Sequence, residues 1–233
     1  NEGKAFYINT KGKIPFPTDY DWLRSFENGY AIVSKNNKYG FINKNGKEIA
    51  APKYKDLRNF KEGAAAVAID DNTWGFINEQ GKEFTKMDYS GVGHFFNGVC
   101  IVRIKNNNGL INFKGEEIIP VQYDLLNHID GNIYVVRKNK RYSVIDKTGK
   151  ILLADKYNTI KDFKDDMAAV MDTGKVGFIN IAGKELVPVI YDSYADFNEG
   201  LGLVVLNKKL GFVNKKGAFV TKLVYATYGA PAD

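Results

Sequence analysis

One interval constrains this chain more than any other feature. Gly12, Gly46, Gly81, Gly115, Gly149, Gly183 and Gly217 follow one another at 34 residues, with a single step of 35. Each closes a worn copy of the phrase Trp74-Gly75-Phe76-Ile77-Asn78-Glu79-Gln80-Gly81. A period that strict means one supersecondary unit stacked in tandem, in which no unit buries its apolar face alone. Residues 1–233 therefore read as a single array of about seven repeats, the last one partial.

Within a unit, side-chain alternation and turn chemistry assign the strands. Tyr39-Gly40-Phe41-Ile42-Asn43 reads as a strand, a, and Asn45-Gly46 as the hairpin after it, since both residues accept positive φ. Strand b follows, as in Glu117-Ile118-Ile119, and Pro120 ends it by removing a donor. Short apolar runs such as Ala64-Ala65-Ala66-Val67 make strand c, pressed on both faces, and a polar turn carries it into the next strand a. The extra residue of the one longer step falls in such a turn, Asp70-Asp71-Asn72-Thr73. The expected fold is all-β: a tandem repeat array of three-stranded antiparallel c–a–b meanders. An open β-solenoid or superhelix is preferred to a closed propeller-like ring, because the chain starts at strand a and only eight residues follow Tyr225, so neither end complements the other.

A long loop joins strand b to strand c. It opens with a tyrosine eight residues after every hairpin glycine, namely Tyr20, Tyr54, Tyr89, Tyr123, Tyr157, Tyr191 and Tyr225. Uniform spacing without exception points to packing, with the hydroxyl bonded to a neighbouring repeat, rather than to a stacking ladder for sugars or bases. Aspartate follows in Tyr20-Asp21, Tyr123-Asp124 and Tyr191-Asp192, which suggests Asx turns or a short helical turn. Six residues after the tyrosine stands Phe26, Phe60, Phe95, Ile129, Phe163 or Phe197. A turn residue comes three later, Gly29, Gly63, Gly98, Asn132, Asp166 or Gly200, each expected at positive φ. Gly81 is likewise expected at positive φ and Tyr89 buried, which ranks Tyr89→Ala above Gly81→Val in cost.

These phrases resemble the bacterial WG-repeat family, also written KWG, and the resemblance covers residues 5 to about 226. The tryptophan itself is replaced by Ala5, Tyr39, Asn108, Tyr142, Val176 and Leu210 in the other copies. The resemblance implies a bacterial protein, often exported or surface-attached, whose repeats act as interaction modules without catalytic residues; a cytoplasmic location is also compatible. The missing initial methionine reads as processing or trimming.

Candidate sites follow from what the repeat does not explain. Cys100 shares the phase of Ala31, Ala65, Ala168 and Gly202, which makes it a small buried thiol. His94 and His128 share a phase with Ser25, Asn59, Asp162 and Asp196; turn capping accounts for them better than a metal spread over His94, His128 and Asp162. Asn9, Asn43, Asn78, Asn112, Asn180 and Asn214, with Asp146, are placed to hold the hairpins. No phosphate-binding loop, zinc-protease motif or Cys-X-X-Cys occurs, so neither catalytic residues nor a metal or other cofactor is expected.

The net charge of +6 is uneven: the long loops are acidic on balance and the c-to-a turns basic, richest at Arg137, Lys138, Lys140 and Arg141. If each turn type keeps to its own side, the array has a basic and an acidic edge. The expected function is a non-enzymatic module presenting an extended surface to a protein or an anionic polymer of the bacterial envelope. The rival is a polysaccharide module, binding cell-wall glycan through exposed Trp22, Tyr39, Trp74 and Tyr142. Acidic long loops and the lack of interleaved aromatics count against nucleic acid, and no apolar run is long enough to span a membrane as a helix.

Overall fold

The computed structural model describes residues 5–8, 10–16 and 19–226, the last two by backbone alone. Asn9 and the side chain of Tyr225 lie outside the described residues. Among those residues every regular element is a β-strand. The chain forms two compact units, Asn1–Gln122 and Tyr123–Asp233.

In the first unit, β1 (Trp22–Leu23), β2 (Tyr30–Lys35), β3 (Lys38–Asn43) and β4 (Glu48–Tyr54) form one antiparallel sheet in that order. β5 (Asp56–Leu57), β6 (Ala64–Asp70) and β7 (Thr73–Asn78) form the next. β8 (Gly91–Val92), β9 (Val99–Ile104), β10 (Asn107–Asn112) and β11 (Glu117–Tyr123) form the third. The second unit repeats the plan three times. Its sheets are β12 (Leu125–Asp130), β13 (Ile133–Lys138), β14 (Arg141–Asp146) and β15 (Ile151–Tyr157); then β16 (Thr159–Ile160), β17 (Met167–Asp172), β18 (Lys175–Asn180) and β19 (Glu185–Tyr191); then β20 (Ser193–Asn198), β21 (Leu201–Leu206), β22 (Lys209–Asn214) and β23 (Phe219–Ala226). Among the described residues no sheet closes into a barrel.

The expected c–a–b meander is present in five of the six sheets, as in β2-β3-β4. The start of the long loop adds a fourth strand at its edge, with Trp22 opposite Ser34 and Leu23 opposite Val33. In four of the sheets it is two residues long, too few to show alternation in the sequence; in β12 and β20 it runs to six. In the second sheet the b segment pairs only through the bridges Ile77↔Glu83 and Trp74↔Tyr89. There the Phe76 N–H donates to Thr85 Oγ1 at 2.9 Å instead of to a ladder carbonyl.

Strand c is buried on both faces because successive residues serve different neighbours. Ala65 and Val67 pack with Ile32, Phe41, Tyr54 and Phe60, while Ala64, Ala66 and Ala68 pack with Phe76, Phe95, Cys100 and Ile111. In the second unit Ala168 and Val170 join Val144 and Tyr157, and Ala169 joins Phe178, Phe197 and Val204.

Two glycines of the repeat have distinct reasons. A Cβ on Gly40 would lie 2.3 Å from the Ala50 carbonyl oxygen, so strand a can touch the irregular strand b only where it has no side chain. In the fifth repeat that phase holds Ser143, whose Oγ accepts from Asp155 N at 3.0 Å and donates to Asp155 Oδ1 at 2.8 Å. At the hairpin, Gly81 has φ 76°, and a Cβ would lie 1.8 Å from the Ile49 carbonyl oxygen of the repeat before.

Side chains also bind repeat to repeat. Tyr20 donates to Glu48 at 3.2 Å and Tyr54 to Glu83 at 3.0 Å, and Tyr157 donates to Glu185. In each case the acid opens strand b of the following repeat. Lys53 and Lys156 reach the same Glu83 and Glu185 at 3.0 and 2.7 Å. The loop tips add Glu62, whose carboxylate accepts from Asn97 N and Gly98 N, and Asp165, which accepts from Gly200 N.

Candidate functional site

Most phases singled out in the sequence are occupied structurally. Tyr54, Tyr89, Tyr157 and Tyr191 are buried in the core, so they offer no ladder for a ligand. Burial first, then the charges of Asp88 and Glu117, push the Tyr89 hydroxyl up to about 12. Asn43 Oδ1 accepts from Asn45 N and Lys47 N at 3.0 Å, and Asn78, Asn112, Asn180, Asn214 and Asp146 hold their hairpins in the same way. Cys100 is buried, and loss of hydration pushes its thiol up to about 12.

His128 Nε2 lies 3.0 Å from the Gly131 carbonyl oxygen, a turn contact. The positive φ in that loop belongs to Gly131, not to Asn132 as expected. No group of three His, Cys, Asp or Glu side chains among the described residues could hold a metal ion.

The aspartate after the tyrosine starts no helical turn among the described residues, and at Asp21 and Asp192 it reaches across to another turn. Because the fourth strand runs beside strand c, the opening of the long loop lies against the c-to-a turn. Asp21 Oδ2 accepts from Asn36 N at 2.8 Å and Asp192 Oδ2 from Asn207 N at 2.7 Å. Asp19 pairs with Lys35, and Asp192 with Lys175, both at 2.5 Å. The opening of the long loop therefore shares an end of the sheet with the c-to-a turn, while the loop's own turn closes the opposite end of strand c through bridges such as Glu27↔Tyr30. The basic turns are thus met by aspartates where they stand and form no purely basic edge, contrary to the expected separation.

This geometry also changes the predicted Arg137–Arg141 cluster. Arg137 Nε is 3.9 Å from Asp124 with its guanidinium 5.8 Å from the Tyr142 ring centroid. Arg141 Nη1 donates to Asp172 at 2.7 Å and to Asn158 at 2.6 Å. Each arginine thus has an aspartate beside it, Arg141 through hydrogen bonds and Arg137 as an ion pair only; Lys138 and Lys140, the latter exposed, occupy the turn between them. Of the four aromatics expected to be exposed, Trp74 is buried at 9%, and Tyr39 and Tyr142 pack against the cores of their units. Only Trp22 presents its ring, 43% exposed, with Arg24 at 5.7 Å from the ring centroid.

A site that sequence reasoning missed lies in the first unit, between the second and third sheets. Ser90-Gly91-Val92-Gly93 has no side chain at two positions where other repeats carry Trp22 and Arg24, or Asp56 and Arg58. The space left is a cleft of about 470 Å³. Arg58 forms one wall, its guanidinium 4.9 Å from the Trp74 ring centroid and Nη1 donating to the Val92 carbonyl at 2.7 Å. Arg103 forms the other, lying across Gly91 so closely that a Cβ there would be 3.1 Å from Nη2. No carboxylate among the described residues lines the cleft. A second cleft, of about 540 Å³, lies on the other side of Arg58 and contains Arg24, Lys61 and His94. Burial, then the charges of Arg58 and Lys61, hold the His94 imidazole below its ordinary value. The signal available in the sequence was the glycine pair Gly91 and Gly93 within a strand phase.

The fold defines a protein of tandem antiparallel β-sheets, each repeat one sheet. Within that class the chain belongs to the WG-repeat family: the model described as WG containing repeat matches residues 6–39, 39–72, 74–108, 109–142, 142–175 and 177–209. None of the curated proteins matches it. Among solved structures, Hsv2 of Kluyveromyces lactis is similar at 14% identity over 80% of this chain and 71% of that one, TM-score 0.38. PorZ of Porphyromonas gingivalis, described as a bacterial surface component of the type-IX secretion system, is similar at 11% identity over 88% of this chain and 32% of its own, TM-score 0.36.

Proposed function

We propose that this WG-repeat array is a non-enzymatic binding module of the bacterial envelope, and that its first unit holds an anionic partner, a protein segment or an envelope polymer, in the Arg58–Arg103 cleft. One observation supports this reading above others. Arg58 and Arg103 face a carboxylate-free cleft, whereas Arg137 and Arg141 are each matched by an aspartate. A guanidinium recognises carboxylate or phosphate through parallel N–H donors, and it loses less freedom when its plane is already fixed. Trp74 and the Val92 carbonyl fix Arg58 in this way. The test is calorimetric titration of the full chain with an anionic and a neutral polymer of equal length. Arg103→Ala is expected to weaken anion binding at least tenfold and Lys138→Ala/Lys140→Ala to change it little; the reverse ranking returns the site to the Arg137–Arg141 turn.

The exposed ring of Trp22 beside Arg24 supports the second reading, glycan binding through an open aromatic face. Trp22→Ala abolishing uptake of a neutral glycan is the result that favours it.

A further inference from the structure

Arg58 lines both clefts of the first unit, so the two adjoin at one residue. From one side to the other the cations are Arg24 and Lys61, then Arg58, then Arg103, contributed by successive repeats. Neutral polar groups stand among them. Asn28 donates through Nδ2 to the Phe60 carbonyl at 3.0 Å, which leaves its amide oxygen to accept. Glu27, the one acid among the described residues in the lining of either cleft, accepts from Asn59.

We propose that the joined clefts form a groove for a linear acidic polysaccharide, with successive uronate carboxylates on the arginines and sugar hydroxyls on Asn28 and Glu27. The inference rests on the anion-binding reading above and specifies its ligand. Three features of the groove select this chemistry. A carboxylate such as Glu27 repels a dense polyanion but accepts readily from sugar hydroxyls, so the lining suits a ligand that alternates charge with hydroxyl groups. Single-stranded nucleic acid stacks its bases on open aromatic faces, and the aromatic rings lining the two clefts are covered: Trp74 is 9% exposed beneath Arg58, and Phe60 is 2% exposed. An acidic peptide carries its carboxylates on flexible stems, each of which is immobilised on binding; a sugar ring carries its carboxylate rigidly beside its hydroxyls, so less freedom is lost.

The experiment titrates the full chain with oligogalacturonates of two and six residues, fully methyl-esterified hexamer, poly-L-glutamate of matched charge and single-stranded DNA, following tryptophan fluorescence and heat. The expected result is that the hexamer binds at least tenfold more tightly than the dimer and than polyglutamate, and that esterification abolishes binding. Arg24→Ala/Lys61→Ala is expected to lower hexamer affinity at least fivefold while leaving the dimer unchanged, and Arg103→Ala to weaken both. Polyglutamate or DNA binding as tightly as the hexamer, still dependent on Arg103, overturns the polysaccharide assignment and leaves the anion site standing. Equal affinity for dimer and hexamer overturns the joined groove. Binding of no probe in an Arg103-dependent manner overturns both readings. Circular dichroism and urea midpoints of each variant establish that the losses arise in a folded chain.

Discussion

Gly63 and Gly81 provide a matched pair for measuring what one repeat contributes to the next. Both sit in the left-handed region, at φ 80° and 76°, so alanine at either carries a similar backbone strain of about 1–2 kcal/mol. Their surroundings differ. A Cβ on Gly63 would have no atom within 4 Å, whereas one on Gly81 would lie 1.8 Å from the Ile49 carbonyl oxygen. That oxygen is backbone of the preceding repeat, so the sheets must shift apart, an overpacking cost of about 1–3 kcal/mol beyond the strain. With a urea m-value of about 1–3 kcal/mol/M, the Gly81→Ala midpoint is expected below that of Gly63→Ala by something on the order of 1 M. Coincident midpoints would refute the claim that hairpin glycines permit repeat-to-repeat contact. The same distance corrects the ranking drawn from sequence. Tyr89→Ala removes a buried aromatic at about 3–5 kcal/mol, and Gly81→Val, which combines strain with overlap, now falls in the same range.

Four further outcomes are expected. Tyr89 and Tyr157 are raised to about 12 from 10.0 by burial first, so the stability they contribute is complete below pH 10 and is lost as pH rises towards 12. Phenolate absorbance should then show these tyrosines ionising together with unfolding. Glu83 is held below 4.5 by the Lys53 hydrogen bond, against burial and with help from Tyr54, so its contribution is present above that value and lost as pH falls through the folded one; Glu83→Gln should flatten acid destabilisation in urea titrations. Cys100 should react with a thiol reagent only at the rate of unfolding, and fast labelling of the native chain would contradict its burial. Gly93→Val places a Cβ in ordinary contact with Ile101 and Cys100, so stability should change by less than about 1 kcal/mol while anion binding is lost.

The fold was legible because its signals are periodic and redundant. Each hairpin carries its own glycine and Asn or Asp, and strand c recurs as a small apolar run, so a weak local pattern was read repeatedly at one phase. Burial of Tyr54, Tyr89 and Tyr157 followed from the same regularity, as did their hydroxyl partners in the neighbouring repeat for Tyr54 and Tyr157. What escaped was set by pairing across a gap. The fourth strand is two residues long in β1, β5, β8 and β16, too short for any alternation to show, and in β12 and β20, where it runs to six, polar residues such as Asn127, His128, Asp196 and Asn198 make it read as loop. Its presence decides where Asp21 and Asp192 lie, and so turns two apparent loop-capping residues into staples on the turn of a neighbouring strand.

The same gap explains why local charge density pointed to the wrong arginines. Arg137 and Arg141 are conspicuous in sequence because four cations fall within five residues, but their counter-ions, Asp124 and Asp172, are 13 and 31 residues away. Pairing cancels most of the potential they would otherwise project, since an adjacent opposite charge leaves only a dipole at distance. Arg58 and Arg103 are 45 residues apart and inconspicuous, and two glycines bring them to facing walls of one cleft with no carboxylate between. A repeat array makes this kind of site readily, because a side chain lost from one repeat opens space beside residues of the next, while the backbone that frames it is already specified elsewhere in the period.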